Sequence, residues 1–255
     1  NLWEAYNKKV ICIVKFMDIK KNNFSSISFI VPCYNEEDNI SKVINEIESA
    51  IISFSNIFYE IIIIDDASKD NTLKIIKEIQ KMNKNIRIIQ NKENQGLGGS
   101  IKKGFYNIQN DYAMYLPGDN CHSKTEIKKL LEVNSDFDIL LSYYSNTRIR
   151  NLFRRLFTYL YTPFLNLIFG LNLPYYNGIA IYKKKVLDNF EIKTSSFTWQ
   201  IELLVKILKN KQTKLELVST VLSNRNKGNS KAFNIKNCFK VIYSIAVIFL
   251  WNINN

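Results

Sequence analysis

The chain has 255 residues, 46% of them hydrophobic, with only 8 Gly and 4 Pro. That excludes a low-complexity or repeat protein and allows one large α/β domain or two small ones. A formal net charge of +12 favours polyanionic partners: nucleic acid, an anionic membrane or phosphorylated small molecules.

His122 is the only histidine, which argues against a multi-histidine zinc site or two catalytic histidines. Cys12, Cys33, Cys121 and Cys238 form no Cys-x-x-Cys and read as reduced thiols of a cytoplasmic protein. Residues 1–23 are expected to be an N-terminal extension. Lys15 interrupts its short apolar run at 10–16, and no secretory leader is read there.

Ile27–Val31 reads as a buried strand that ends in Pro32-Cys-Tyr-Asn-Glu-Glu37. Apolar residues at Ile40, Val43, Ile44, Ile47 and Ile51 have helical spacing, which predicts a helix over Asn39 to Ile52. Glu60 to Asp66 is an unalternating, β-branched strand, as expected where both faces are covered. A helix over Thr72 to about Met82, a strand over Ile86–Gln90, a helix near Ser100–Ile108 and a strand over Tyr112–Leu116 follow. The alternation predicts an α/β fold with an open, mostly parallel sheet and helices on both faces.

Ligands of such sheets bind at the carboxyl ends of the strands. Glu36 follows the first strand, Asp65 and Asp66 the second, and Asp119, in Leu-Pro-Gly-Asp119, the fourth. If those strands are neighbours, the acids share one crevice.

The glycine run at 96–104 fits neither phosphate-cradling motif. Gly96-Leu97-Gly98 continues to Ile101 rather than a third glycine, and Phe105-Tyr106 stand where a P-loop needs Lys-Ser or Lys-Thr. A turn before a helix is expected there.

Leu156 to Tyr182 has no charged side chain and lies between Arg148, Arg150, Arg154, Arg155 and Lys183, Lys184, Lys185. Pro163, Gly170, Pro174 and Gly178 interrupt it, so an amphipathic segment lying in a bilayer interface is expected rather than a spanning helix, with ordinary buried core as the alternative. Val241–Trp251 is apolar, too short to span, and is read as a second interfacial contact.

Three segments occur in order: Val31-Pro-Cys-Tyr-Asn-Glu-Glu-Asp-Asn-Ile40, Ile64-Asp-Asp-Ala-Ser-Lys-Asp-Asn-Thr72 and Asn94-Gln-Gly-Leu-Gly-Gly-Ser100. The series resembles family 2 glycosyltransferases of the GT-A fold, and within them the dolichyl-phosphate mannosyltransferase and polyprenyl-phosphate glycosyltransferase branch. The likeness runs from about Phe24 to Lys231. It implies a GT-A domain over 24–232 and, over 233–255, an apolar tail touching the membrane surface.

The resemblance also implies site residues. Pro32, Tyr34 and Glu36 match the loop that holds base and ribose, and Ile64 and Asp66 match the pair flanking the base. Gly118 and Asp119 match the donor site, with Asp119 as the second acid of an Asp-x-Asp that binds Mg2+ or Mn2+. Gln200 and Glu202 fall in a segment on the acceptor side; Glu202 is the candidate base if the acceptor is a hydroxyl. Arg225, Ser230 and Lys231 match Arg-x-x-Gly-x-Ser-Lys, whose bases meet phosphate oxygens. The sequence departs from the family pattern where Pro117 replaces the first acid and Cys121 a metal-facing Gln or Ser. Tyr144 replaces an arginine and Pro174 an aspartate.

The implied activity is inverting transfer of a sugar from a UDP- or GDP-sugar to a polyprenyl phosphate, by a peripheral protein on the cytoplasmic face of an anionic membrane. A saccharide hydroxyl acceptor and a weakly active sugar-nucleotide binder are the alternatives. Nucleic acid is not an expected partner, because the bases are spread along the chain without a helix-turn-helix or an aromatic RNA-reading signature.

Overall fold

A computed structural model describes residues 25–54, 56–146, 152–221 and 235–254. The N-terminal extension and the 222–234 segment, with Arg225, Ser230 and Lys231, therefore lie outside the described residues. So do Arg148 and Arg150 of the basic flank.

In chain order the elements are β1 (Ser26–Cys33), α1 (Ile40–Ile51), β2 (Phe58–Asp65), α2 (Thr72–Met82), β3 (Ile86–Gln90), α3 (Gly96–Tyr106), β4 (Tyr112–Tyr115) and α4 (Lys124–Leu131). They continue with β5 (Ile139–Tyr144), α5 (Leu152–Phe169), β6 (Ala180–Lys183), α6 (Lys184–Leu187), α7 (Trp199–Leu208), β7 (Leu215–Thr220) and α8 (Ile235–Asn254).

The strands form one sheet in the order β3-β2-β1-β4-β6-β5-β7. Pairing is parallel for β1 with β2, β1 with β4, β2 with β3 and β5 with β7, while β6 runs antiparallel to β4 and β5. The mostly parallel α/β sheet expected from the sequence is present. Its first half steps outward from β1 to β2 to β3 and then returns to β4 on the other side of β1. β1 and β4 thus flank a topological switch point, where an α/β sheet opens a crevice.

The unalternating strands have a direct cause. Ile27, Phe29, Val31, Ile61 and Ile63 pack under α1, α2 and α4 on one face, in one core cluster. Ile30, Ile62 and Ile64 point the other way, into the cluster formed with α3, α5, α7 and α8. Each fully buried Ile contributes roughly 1.5–3 kcal/mol of transfer free energy, so both faces are strongly held.

Two expectations need correction. The glycine run is not a turn ahead of a helix but the first turns of α3 itself. A Cβ on Gly98 would stand 2.3 Å from the Thr194 carbonyl oxygen, and one on Gly104 would stand 2.3 Å from Ile30 Cγ2. The glycines let α3 lie against the 194–195 backbone and the sheet. The uncharged stretch 156–182 is also not one interfacial segment. Its helical part exposes Tyr159, Leu160, Phe164 and Leu167, whereas Tyr176 and Ile179 to Tyr182 are buried, because β6 sits between two other strands. Lys183 and Lys185 pair with Asp136 and Asp138 rather than flanking a membrane segment.

Candidate active site

The carboxyl ends of β2, β1 and β4 lie side by side, so the three acid-bearing loops expected to converge leave from one edge. Pro32 pairs with Ile64 in the β1–β2 register. The Asp66 N–H donates to Cys33 O at 2.9 Å, and the Gly118 N–H donates to Pro32 O at 3.2 Å. Asn35, Ala67 and Asn120 follow the ends of β1, β2 and β4 in this set of loops, and all three have positive φ (54°, 60° and 54°). Non-glycine residues in that region store strain, and here they cluster at a single edge.

The β1 and β2 loops are fastened to each other. The Asn35 N–H donates to Ser68 Oγ (3.0 Å), the Lys69 N–H to Asn35 Oδ1 (2.8 Å) and the Glu36 N–H to Thr72 Oγ1 (2.8 Å). The Glu36 carbonyl and carboxylate accept from the backbone and side chain of Asn39, opening α1. Tyr34 is half-buried and Glu36 partly exposed beside it.

The two adjacent aspartates of the β2 end differ sharply. Asp66 is buried, and its carboxylate accepts from Asn91 Nδ2 (2.7 Å), Gln95 N (2.8 Å) and Gly96 N (3.0 Å). It therefore anchors the start of α3, where unsatisfied N–H groups and the helix dipole favour a carboxylate. Asp65 is fully buried, and its Oδ2 accepts no hydrogen bond. Asn91, absent from the sequence-based reading, joins Asp66 to Ser100 and Lys103 on α3. Its only signal in the sequence was its position after β3. Ile64 is fully buried against Gly104, so its side chain supports the edge from below.

Asp119 leaves β4 beside Gly118, and the next residue, Asn120, has a buried Oδ1 that accepts no hydrogen bond. Cys121 lies between Asp119 and His122 in the loop, and His122 Nδ1 lies 2.9 Å from Glu126 Oε2. Burial pushes the Cys121 thiol up. Burial alone would lower the His122 imidazole, but Cys121 and Glu126 outweigh it and hold it well above its usual value. Burial, and then the charges of Cys121 and Asp119, also raise Tyr115, whose ring packs edge-on against Trp199 at 5.0 Å.

Farther along, Gly178 leads into β6 at the same edge, where a Cβ would stand 1.9 Å from Ser142 O. Gln200 Nε2 donates to Gly178 O (2.7 Å) and to Tyr182 Oη (3.3 Å), so this buried amide shapes the Asn177–Gly178 turn from within. Glu202 is buried, pairs with Lys206 Nζ at 2.5 Å and accepts from the N–H groups of Lys193 and Thr194. These partners hold the Glu202 carboxylate between α7 and the 193–194 backbone. β7 ends at Thr220, opposite Tyr144, on the same edge as the loops that follow β1, β2 and β4.

A family model described as glycosyl transferase family 2 matches residues 28–190. The chain belongs to glycosyl transferase family 2. Among family relatives it is 30% identical over 175 residues to an uncharacterized protein of Methanocaldococcus jannaschii, covering 64% of this chain and 73% of that one. It is 32% identical to the dolichyl-phosphate beta-glucosyltransferase of Saccharomyces cerevisiae, over 44% of this chain and 35% of that one. With the dolichol-phosphate mannosyltransferase of Pyrococcus furiosus it shares 25% identity over 88% of this chain and 64% of that one. The chain thus spans less than two thirds of the latter two proteins. The fold is similar to that of glucosyl-3-phosphoglycerate synthase from Mycobacterium tuberculosis, solved with Mn2+, UDP and glucosyl-3-phosphoglycerate. That likeness has a TM-score of 0.62 at 19% identity, over 89% of this chain and 80% of that one.

Proposed function

We propose that this family 2 member is an inverting glycosyltransferase that moves a sugar from a UDP- or GDP-sugar onto a polyprenyl phosphate. The carrying observation is the meeting of the Asp65 and Asp119 loops on either side of β1, at the switch point. The names of the yeast and Pyrococcus relatives support the choice of lipid acceptor.

In this reading Tyr34, Glu36 and the buried Asp65 Oδ2 receive the nucleoside, and Asp66 holds the wall behind them. Among the described residues no three His, Cys, Asp or Glu side chains cluster as a metal cage. The Asp119 carboxylate beside the open Asn120 Oδ1 instead fits a Mg2+ or Mn2+ ion that takes most of its oxygens from the donor diphosphate and water. Such an ion, when bound, would offset the charge on the leaving diphosphate.

The acceptor phosphate oxygen attacks the anomeric carbon, the carbon–oxygen bond to the diphosphate breaks, and the nucleoside diphosphate leaves with the electron pair. Because a phosphate oxygen is already anionic at neutral pH, no general base is required. Arg225, Ser230 and Lys231 are assigned to phosphate oxygens, Arg through its planar fork and Lys as a point charge.

The reading places the protein peripherally on the cytoplasmic side of a membrane, and the exposed apolar faces of α5 and α8 support the attachment. α8 exposes Ile242, Tyr243, Val247, Leu250 and Ile253 while burying Ile245 and Ile248. No helix among the described residues is long and apolar enough to cross a membrane. The test of the acceptor uses vesicles with polyprenyl phosphate or with the corresponding polyprenol, supplied with a panel of UDP- and GDP-sugars. Sugar should appear in the lipid extract only with the phosphate. Equal labelling of the polyprenol would contradict the assignment.

A further inference from the structure

Glu126 is used in a way that capping does not explain. Ser123-Lys-Thr-Glu126 has the spacing of a capping box, and Ser123 Oγ does accept from the Glu126 N–H, at 3.4 Å. In a capping box the glutamate side chain turns back to the capping residue. Here it turns inward instead. Glu126 Oε2 accepts from His122 Nδ1 at 2.9 Å, and Glu126 Oε1 accepts from Thr220 Oγ1 at 3.4 Å.

A carboxylate whose side chain is only 2% exposed needs a compensating donor, and His122, itself 10% exposed, is its one ionic partner among the described residues. Since a carboxylate only accepts, Nδ1 of His122 bears the proton, and this fixes the ring. The ring in turn lies three residues after Asp119, in the loop that leaves β4. The single hydroxyl proton of Thr220 is shared between Glu126 Oε1 and Tyr143 O (3.3 Å), and Thr220 closes β7, the strand that leads to the 222–234 segment.

We propose that Glu126 is a positioning residue: through His122 it holds the short loop that carries the Asp119 carboxylate, and through Thr220 it ties that loop to the end of β7. One buried carboxylate thereby sets the spacing between the donor side of the crevice and the strand leading to the phosphate-binding segment. The inference rests on the reading of Asp119 as the donor-diphosphate acid.

The test compares the whole chain with Glu126→Gln, which keeps the size and removes the charge. Mn2+ binding is followed by the loss of the free-ion electron paramagnetic resonance signal, with UDP or GDP present, and nucleotide binding without metal by calorimetry. The outer position of Glu126 leads to an expected loss of about tenfold or more in Mn2+ affinity, with metal-free nucleotide affinity changed less than about twofold. A lower kcat at unchanged donor KM should accompany it. If Glu126→Gln does not fold, the paired variant Glu126→Gln/His122→Asn, which leaves no lone buried charge, takes its place with the same expectation.

Unchanged Mn2+ affinity and kcat in a folded variant would overturn the inference while leaving the donor site standing. So would equal losses with and without metal, which mark a merely structural role. Wild-type protein that retains no Mn2+ with either nucleotide would instead overturn the reading of Asp119 on which it rests.

Discussion

The Gly118 N–H donates to the Pro32 carbonyl at 3.2 Å, and this bond joins the exits of β4 and β1 at the switch point of the sheet. The approach is so close that a Cβ on Gly118 would meet Pro32 O at 2.9 Å and Cys33 Cβ at 3.0 Å. Both belong to a central strand and cannot retreat. The loop that delivers Asp119 must therefore move if the glycine is replaced.

Gly118→Ala should displace Asp119 with little effect on the two cores. An ångström-scale misplacement at a reacting site costs on the order of tenfold to a hundredfold in rate. Steady-state transfer kinetics beside a thermal melt would check this. A variant with wild-type kcat would show that the loop position is not critical.

Asp66 is expected to matter first for stability. Asp66→Ala removes the acceptor of the Gln95 N–H, and leaves Asn91 Nδ2 only Ser100 Oγ and the Gly96 N–H only Asn94 Oδ1. The loss should be about 2–4 kcal/mol by urea denaturation, with Asp66→Asn costing less because one acceptor oxygen remains. A fully stable Asp66→Ala with weakened nucleotide binding would return Asp66 to direct ligand contact.

For Glu202 the two roles separate cleanly. Glu202→Gln leaves Lys206 charged, buried and unpaired, which should cost about 3–5 kcal/mol. The double variant Glu202→Gln/Lys206→Met should recover most of that. A general base would instead show a loss of roughly 10²–10⁴ in kcat with stability intact.

Leu167 on α5 is 82% exposed and Leu250 on α8 is 60% exposed. Leu167→Glu and Leu250→Glu should leave folding unchanged and reduce flotation with anionic vesicles. Wild-type binding should itself weaken as salt screens the headgroup charge. Equal recovery of wild type and variants in the vesicle fraction would remove these faces from the membrane contact.

Much of this was legible in the chain. Runs such as Glu60 to Asp66 announce a strand covered on both faces, and the strand-end acids follow from the β-α alternation alone. The order of β6 was not legible. Ala180 to Tyr182 looks like the end of an apolar helix until its antiparallel pairing with β4 and β5 buries it. Local pattern also cannot tell Asp65 from Asp66, since only the three-dimensional placement of Asn91 and α3 saturates one and leaves an oxygen of the other open. Glu126 was hidden for a similar reason. Its partner Thr220 is 94 residues away, and the Ser-x-x-Glu spacing offers a sufficient local explanation.

The most direct measurement of the central claim is sugar transfer to polyprenyl phosphate by wild type and Asp119→Asn, with Mg2+ or Mn2+ and after EDTA. The account predicts labelled lipid from at least one UDP- or GDP-sugar. It further predicts a loss of at least about tenfold in Asp119→Asn, equal to about 1.4 kcal/mol of barrier, and loss of transfer in EDTA. Undiminished transfer by Asp119→Asn, or full activity in EDTA, would contradict it.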